Sequence, residues 1–485
     1  MAASVVEVTT TSDENGLRSG SLGLFDSVVM AVAGVAPAYS IAASTAVLVG
    51  AVALGGAAAL LYCGIAMFGI VFAFNYLGRS EANAGASYSW VRRALHPALG
   101  YLSGWALIVS ALVFMVLATV PAGANVLGLF SAAAARNVAD VTIVGSVFFL
   151  LMVAAVAAGV TITVTAQVIM SSIEIVILVL FGVLALVHGH HVNTFSWHWF
   201  APSIFHGSSG FFAGALVAAF YYWGWDVTAN LNEETRGAKR TPGVGGLIGM
   251  VLVFVLFEVF TIATNLLLSS GQIANNSADV LAVLGQAVWH GTGGKIIILA
   301  VVLSTIATLE TTLIQVTRTL FSMGRDHTLP GVLGTVHSRR RTPLVATGVV
   351  TVLSLGLFVG SQFIGSIGTI MSDALNAIGL QIAIYYCLAG LAVVMLYRRQ
   401  LFTSVKNFIF MGLWPLVGAV FMGTMFVKTI PGLNATTLWV GLGAMALGLI
   451  PMTYYWAKGN PYFTLPSPED RHAVVEELEE FEQNL

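Results

Sequence analysis

Twelve long apolar runs, joined by short polar connections, limit what this chain can become more than any other feature. They lie near residues 24–49, 55–77, 98–128, 140–160, 164–189, 210–231, 244–269, 295–323, 343–362, 366–396, 407–428 and 434–457. A helix needs roughly 20 apolar residues to cross a ~30 Å hydrocarbon core. In hydrocarbon each backbone N–H and C=O also needs a partner inside the protein, which a helix supplies within itself. Composition agrees, with 57% hydrophobic and 9% charged residues and a mean hydropathy of +0.89. A soluble domain carries about 25% charged residues. The expectation is an all-α membrane protein of about twelve transmembrane helices embedded in a lipid bilayer.

Basic residues orient these spans. One set of connections holds Arg79, Arg92, Arg93, Arg236, Lys239, Arg240, Arg325, Arg339, Arg340, Arg341, Arg398, Arg399 and Lys406. The opposite set holds Arg136, Lys295 and Lys428. The rich side reads as cytoplasmic, which predicts a multi-pass protein of the inner membrane with both termini inside. Residues 1–21 then form a cytoplasmic tail without the character of a secretory signal peptide. Residues 458–485, with Glu476, Glu477, Glu479, Glu480 and Glu482, read as a solvated acidic tail.

Several function classes find no support. The two cysteines, Cys63 and Cys387, lie inside apolar runs, so no disulfide framework is expected. No basic block interleaved with aromatics suggests a nucleic-acid partner. Gly291 to Lys295 reads GTGGK, but Trp289 stands where a phosphate loop needs glycine. ATP is therefore not the expected energy source, and no cofactor is implied. A membrane-embedded enzyme would need a nucleophile–base set or an HExxH pattern; neither occurs, and the intramembrane acids are scattered over several helices. A receptor or channel has still less to support it, since nothing resembles a filter or a signalling domain.

Three stretches are more specific. SVVMAVAGVAPAYSIAAS, Ser27 to Ser44, places Gly34 and Pro37 in the middle of span one. FYYWGWDVTANLNEE, Phe220 to Glu234, places Gly224 and Asp226 inside span six. Broken helices are tolerated in a bilayer where they line a cavity. Paired breaks in corresponding spans of two inverted halves point to a midplane binding site. The third stretch combines GASYSWVRRALHPALGYLSGW, Gly85 to Trp105, with TRTLFSMGRDHTLPGVLGTVHSRRRTP, Thr317 to Pro343.

Together these motifs resemble the amino acid–polyamine–organocation permease superfamily, over roughly residues 22–400. The resemblance implies a core of five plus five inverted-repeat spans with discontinuous helices one and six. Two further spans would occupy 401–457. It also implies alternating access by rocking of a bundle made of spans one, two, six and seven, with an amino acid or amine as the small-molecule substrate.

The candidate substrate site follows from the two breaks. Backbone N–H groups after the span-one break, among Val35, Ala36, Pro37, Ala38, Tyr39 and Ser40, can hold a carboxylate. Carbonyls ending the first half of span six, at Phe220, Tyr221, Tyr222, Trp223 and Gly224, can take an ammonium. The family's glycine–hydroxyl–glycine turn is replaced by Ala36-Pro37-Ala38. By resemblance, Phe220 is the aromatic gate and Asp226 the acid that couples substrate binding to its movement; packing of helix on helix is the plainer reading of the aromatics.

Acids inside spans are expensive and usually mark a pathway. By resemblance, Glu174 stands where relatives place a lysine in span five, and Glu310 where they have a small or amide residue in span eight. Burial favours the neutral form of a carboxyl, which lets it bind and release a proton. Glu174 is therefore the expected proton-coupling residue, with Asp226 as runner-up. Glu310 is expected to contact substrate and to favour cationic ones. Glu258 and Asp373 read as structural. His188, His190, His191, His198 and His206 cluster in one connection but lack a convergent metal-binding pattern, so no metal is expected. Symport, exchange and efflux all remain compatible with these residues.

Overall fold

The computed structural model describes residues 16–465 apart from 129, 132, 189–190, 277–279, 362 and 364–366. The described residues form a helical bundle. The first apolar stretch, Leu24–Ser80, has 57 residues, a length of about 85 Å if straight. It doubles back at Ala53–Gly55, where Ala53 has φ 48°, and so makes two passes. Span one is Leu24–Val35 with Pro37–Val52, and span two is Gly56–Ser80. Spans three, four and five are Pro97–Gly128, Val138–Ala158 and Val160–His188. Span six is Gly207–Tyr221 followed, after a turn, by Val227–Asn230. Spans seven to ten are Thr241–Leu267, Ile296–Arg325, Leu344–Ser361 and Ile367–Leu396. Spans eleven and twelve run from Val405 to Gly432 and from Ala435 to Ala457. The twelve runs read from hydropathy are these spans.

Burial sorts them into layers. In their most apolar stretches span three is 89% buried, while spans four and nine are 28% buried. Exposed Ile143, Val147, Leu150, Leu151 and Val352 therefore present an apolar outer surface suited to lipid.

Span one breaks for a local reason. Pro37 has no N–H, and its ring excludes a continuous helix through the preceding turn. Ala36 accordingly turns left-handed, at φ 50° and ψ 72°, and Pro37 opens the second half-helix, a position where its missing donor costs nothing. The turn in span six is carried by Gly224, with φ 107°. The two breaks meet. A Cβ on Gly34 would strike the Gly224 carbonyl, and a Cβ on Gly224 would strike the Gly34 carbonyl. The two breaks are therefore in direct backbone contact.

The span-six motif and the two parts of the third stretch meet at the end of the bundle where both described chain ends lie. Arg318 in span eight makes a two-pronged ion pair with Glu234, at 3.0 and 3.1 Å, with both side chains almost completely buried. Arg325 pairs with Glu233 at 3.0 Å. Glu233 also accepts the Ala84 N–H, and Asn230 and Asn232 donate to the Ala84 and Asn83 carbonyls. The loop between spans two and three is thus tied to the end of span six. Burial pushes the Asp326 carboxyl above its usual range, against the pull of Arg325 and Arg92.

Two segments outside the spans carry structure of their own. The connection between spans seven and eight is not a plain loop: it carries the short helices Ser270–Asn275 and Val280–Val288. The latter buries Val280, Leu281 and Leu284 but is too short to span. The segment that follows residue 458 is docked against the bundle at its start. Tyr462 stacks on Tyr88 at 4.8 Å, and Arg92 donates to the Tyr462 carbonyl at 2.8 Å. Asn460 donates to the His327 carbonyl at 2.6 Å. The glutamates at 476–482 lie outside the described residues.

Two outcomes follow. Gly224→Ala adds both a clash and a left-handed strain, and should lower stability on the order of 2–3 kcal/mol, read as earlier thermal unfolding in detergent. Arg318→Met leaves Glu234 buried and alone, and should cost about 3–5 kcal/mol. The double variant Arg318→Met/Glu234→Leu should recover most of that loss in the same assay; a double variant no better than the single would show that the pair is not the cause.

Candidate functional site

The half-helix that starts at Pro37 exposes its first backbone donors inside the membrane, where water cannot satisfy them. Each has a defined fate. Pro37 has no N–H. The Ala38 N–H donates to Glu174 Oε1 at 2.9 Å. The Tyr39 N–H donates to Ser304 Oγ at 3.1 Å, and Ser304 Oγ donates in turn to Glu174 Oε1 at 2.7 Å. The Ser40 N–H returns to the Ala36 carbonyl at 2.9 Å. Glu174 is therefore an N-terminal cap reaching across from span five, and its charge suits the positive end of the half-helix. Its second oxygen, Oε2, is buried without a hydrogen-bond partner.

The carbonyls freed on the other side of the break are also taken. Val35 accepts from Ser40 Oγ at 2.7 Å, and Gly34 accepts from Thr308 Oγ1 at 3.0 Å. Ser304 and Thr308, one helical turn apart on span eight, thus brace both sides of the break.

Span six supplies the facing wall. Phe220 and Trp223 are buried, and both pack on Phe114 of span three, at 6.1 and 5.4 Å between ring centres. Phe114 also meets Tyr39 edge-on at 5.7 Å. Tyr39, Phe114, Phe220 and Trp223 are each at most 4% exposed, so rings close the crossing of the two breaks. Behind them Trp223 Nε1 donates to the Tyr385 hydroxyl at 2.5 Å, and Tyr385 donates to Asp226 Oδ2 at 3.0 Å. Asp226 Oδ1 is buried without a partner.

The sequence-derived residues therefore separate into groups. Val35, Ala36, Pro37, Ala38, Tyr39, Ser40, Phe220, Trp223, Gly224 and Glu174 gather at the crossing, with Asp226 one residue beyond the Trp223–Trp225 turn. Tyr221 and Tyr222 point elsewhere. The Tyr221 hydroxyl bonds Thr45 at 2.8 Å, and Tyr222 donates to the Leu60 carbonyl at 3.1 Å. They anchor span six to spans one and two. Glu310 has a partner within the protein as well. It accepts from Gln167 of span five at 2.7 Å and lies six residues beyond Ser304, about 9 Å along the helix. It belongs to the seam between spans five and eight.

Asp373 accepts from Asn434 and Thr437, joining spans ten and twelve. Both carboxyl oxygens of Glu258 are buried without a partner. Among the described residues no group of three or more His, Cys, Asp or Glu side chains is placed to hold a metal; His190 and the His188 side chain lie outside them. Ser304, Thr308, Phe114 and Tyr385 went unmarked in the sequence, since they are ordinary residues in apolar helices. Their one signal is a hydroxyl at i and i+4 on span eight.

Comparison with known proteins agrees with this geometry. The profile of the family described as amino acid permease matches residues 22–456. The chain is 28% identical to a branched-chain amino acid permease of Bacillus subtilis (strain 168) over 179 residues, 37% of each chain. It is 23% identical to a low-affinity putrescine importer of Escherichia coli (strain K12) over 440 residues, 84% of this chain and 86% of that one. A branched-chain amino acid permease of Lactococcus lactis is 25% identical over 78% of this chain and 81% of its own. With a family match across nearly the whole helical bundle, the chain is a multi-pass membrane transporter that belongs to the amino acid permease family of the amino acid–polyamine–organocation superfamily.

Proposed function

We propose that this protein carries amino acids and related amines across the cytoplasmic membrane by alternating access, linked to protons through Glu174. The observation that carries the reading is the crossing of two broken spans, closed by aromatic rings and flanked by the buried acids Glu174 and Asp226. In this reading spans one to ten, residues 22–400, form the transport core. Spans one, two, six and seven rock against the rest. Phe220 swings away from Phe114 to admit substrate, and Asp226, held by Tyr385, ties that movement to the span-six turn. The excess of basic residues on one set of connections supports cytoplasmic termini, and on that reading the cluster around Arg318–Glu234 is the inner closure.

Glu174 suits proton coupling because it joins the moving span one to span eight by hydrogen bonds to Ala38 and Ser304. Adding a proton removes the charge that favours this cap and loosens the joint. Exchange of amines is a second reading, favoured by the putrescine importer that aligns over most of the chain.

Reconstituted protein should show counterflow of labelled substrate, and a proton gradient, acid outside, should drive accumulation above the counterflow level. Glu174→Gln should keep counterflow within about threefold and lose gradient-driven accumulation. Unchanged pH dependence in that variant would remove Glu174 from the coupling step.

A further inference from the structure

The cap on span one has a consequence for what the site reads. A carboxylate recognised at a helix start needs open N–H donors. In this chain the first position is proline, the next two amides are held by Glu174 and Ser304, and the fourth bonds the Ala36 carbonyl. Every donor at the break has an acceptor from the protein. We infer that Glu174 is a built-in substitute for the substrate's carboxylate, so that the protein selects amines lacking an α-carboxylate over the corresponding amino acids. This rests on the carrier reading above and names its substrate class.

Charge balance argues the same way. Glu174, Asp226, Glu258 and Glu310 all lie within spans, and among the described residues none is in an ion pair. Arg318, the buried basic residue near the end of span eight, is committed to Glu234. A second carboxylate entering the crossing would meet occupied amides and a neighbouring acid. An ammonium there would meet Glu174 Oε2, the carboxyl oxygen at the crossing that no protein donor reaches. Phe220, Trp223, Phe114 and Tyr39 offer ring faces to the same cation.

The separation between amide and charge gives a clean test. Gln at position 174 still presents an oxygen to Ala38, whereas Ala uncovers the amides. Displacement of labelled putrescine and labelled ornithine would be measured on the purified full-length protein, with tyramine and tyrosine as a second matched pair. In the wild type the amine of each pair should bind at least tenfold more tightly than its amino acid. Glu174→Ala should narrow that ratio at least tenfold through tighter amino acid binding, and Glu174→Gln should keep amino acids excluded. Thermal unfolding identifies any variant that fails to fold, and the wild-type ratios then decide. Amino acids binding the wild type as well as the amines do would overturn this inference and leave the carrier reading intact. No binding or counterflow by any of the four would overturn both.

Discussion

A helix interrupted inside hydrocarbon leaves backbone groups that nothing but the protein can satisfy, and this structure is organised around meeting that demand. Proline at position 37 creates the interruption. Glu174, Ser304 and Thr308 answer it from two other spans. Spans five and eight are consequently placed against span one by polar geometry, in a bundle whose remaining contacts are mostly apolar. Loss of the cap would leave a buried amide unpaired, at a cost of about 1–3 kcal/mol.

The arrangement is divided by chemical character. Near the breaks the bonds run from single hydroxyls and carboxyl groups to backbone, a kind that can be exchanged for a ligand's atoms. At the end holding Arg318, Glu234, Arg325 and Glu233 they are ion pairs between side chains. Rings close the crossing of the breaks. A path through the molecule would have to part the rings at one step and the ion pairs at another, which is how alternating access keeps two closures distinct.

How far the sequence revealed this depends on the range of the interaction. Hydropathy marks a span within a single window, so all twelve were legible. The breaks were legible too, because Pro37 and Gly224 act on their own neighbours. The partner of each acid was not. Glu174 and Ala38 are 136 residues apart, and Gln167 and Glu310 are 143 apart; no local pattern reports such a pairing. Glu310 read as a substrate contact, and its bond to Gln167 in the seam between spans five and eight had no local signal. Tyr385 was invisible for the same reason, and its role came from Trp223 and Asp226 meeting it in space. Short helices such as Val280–Val288 escaped because their apolar spacing is too brief to stand out from a loop.

The mutual contact of Gly34 and Gly224 has a further meaning. It is made by backbone on backbone, the carbonyl of each glycine filling the space that a Cβ of the other would need. A contact of that kind carries no chemical preference. On the carrier reading proposed above, the rings and acids around it could be replaced to suit a new solute while the contact on which the halves turn stayed as it is, which would make specificity and movement separable.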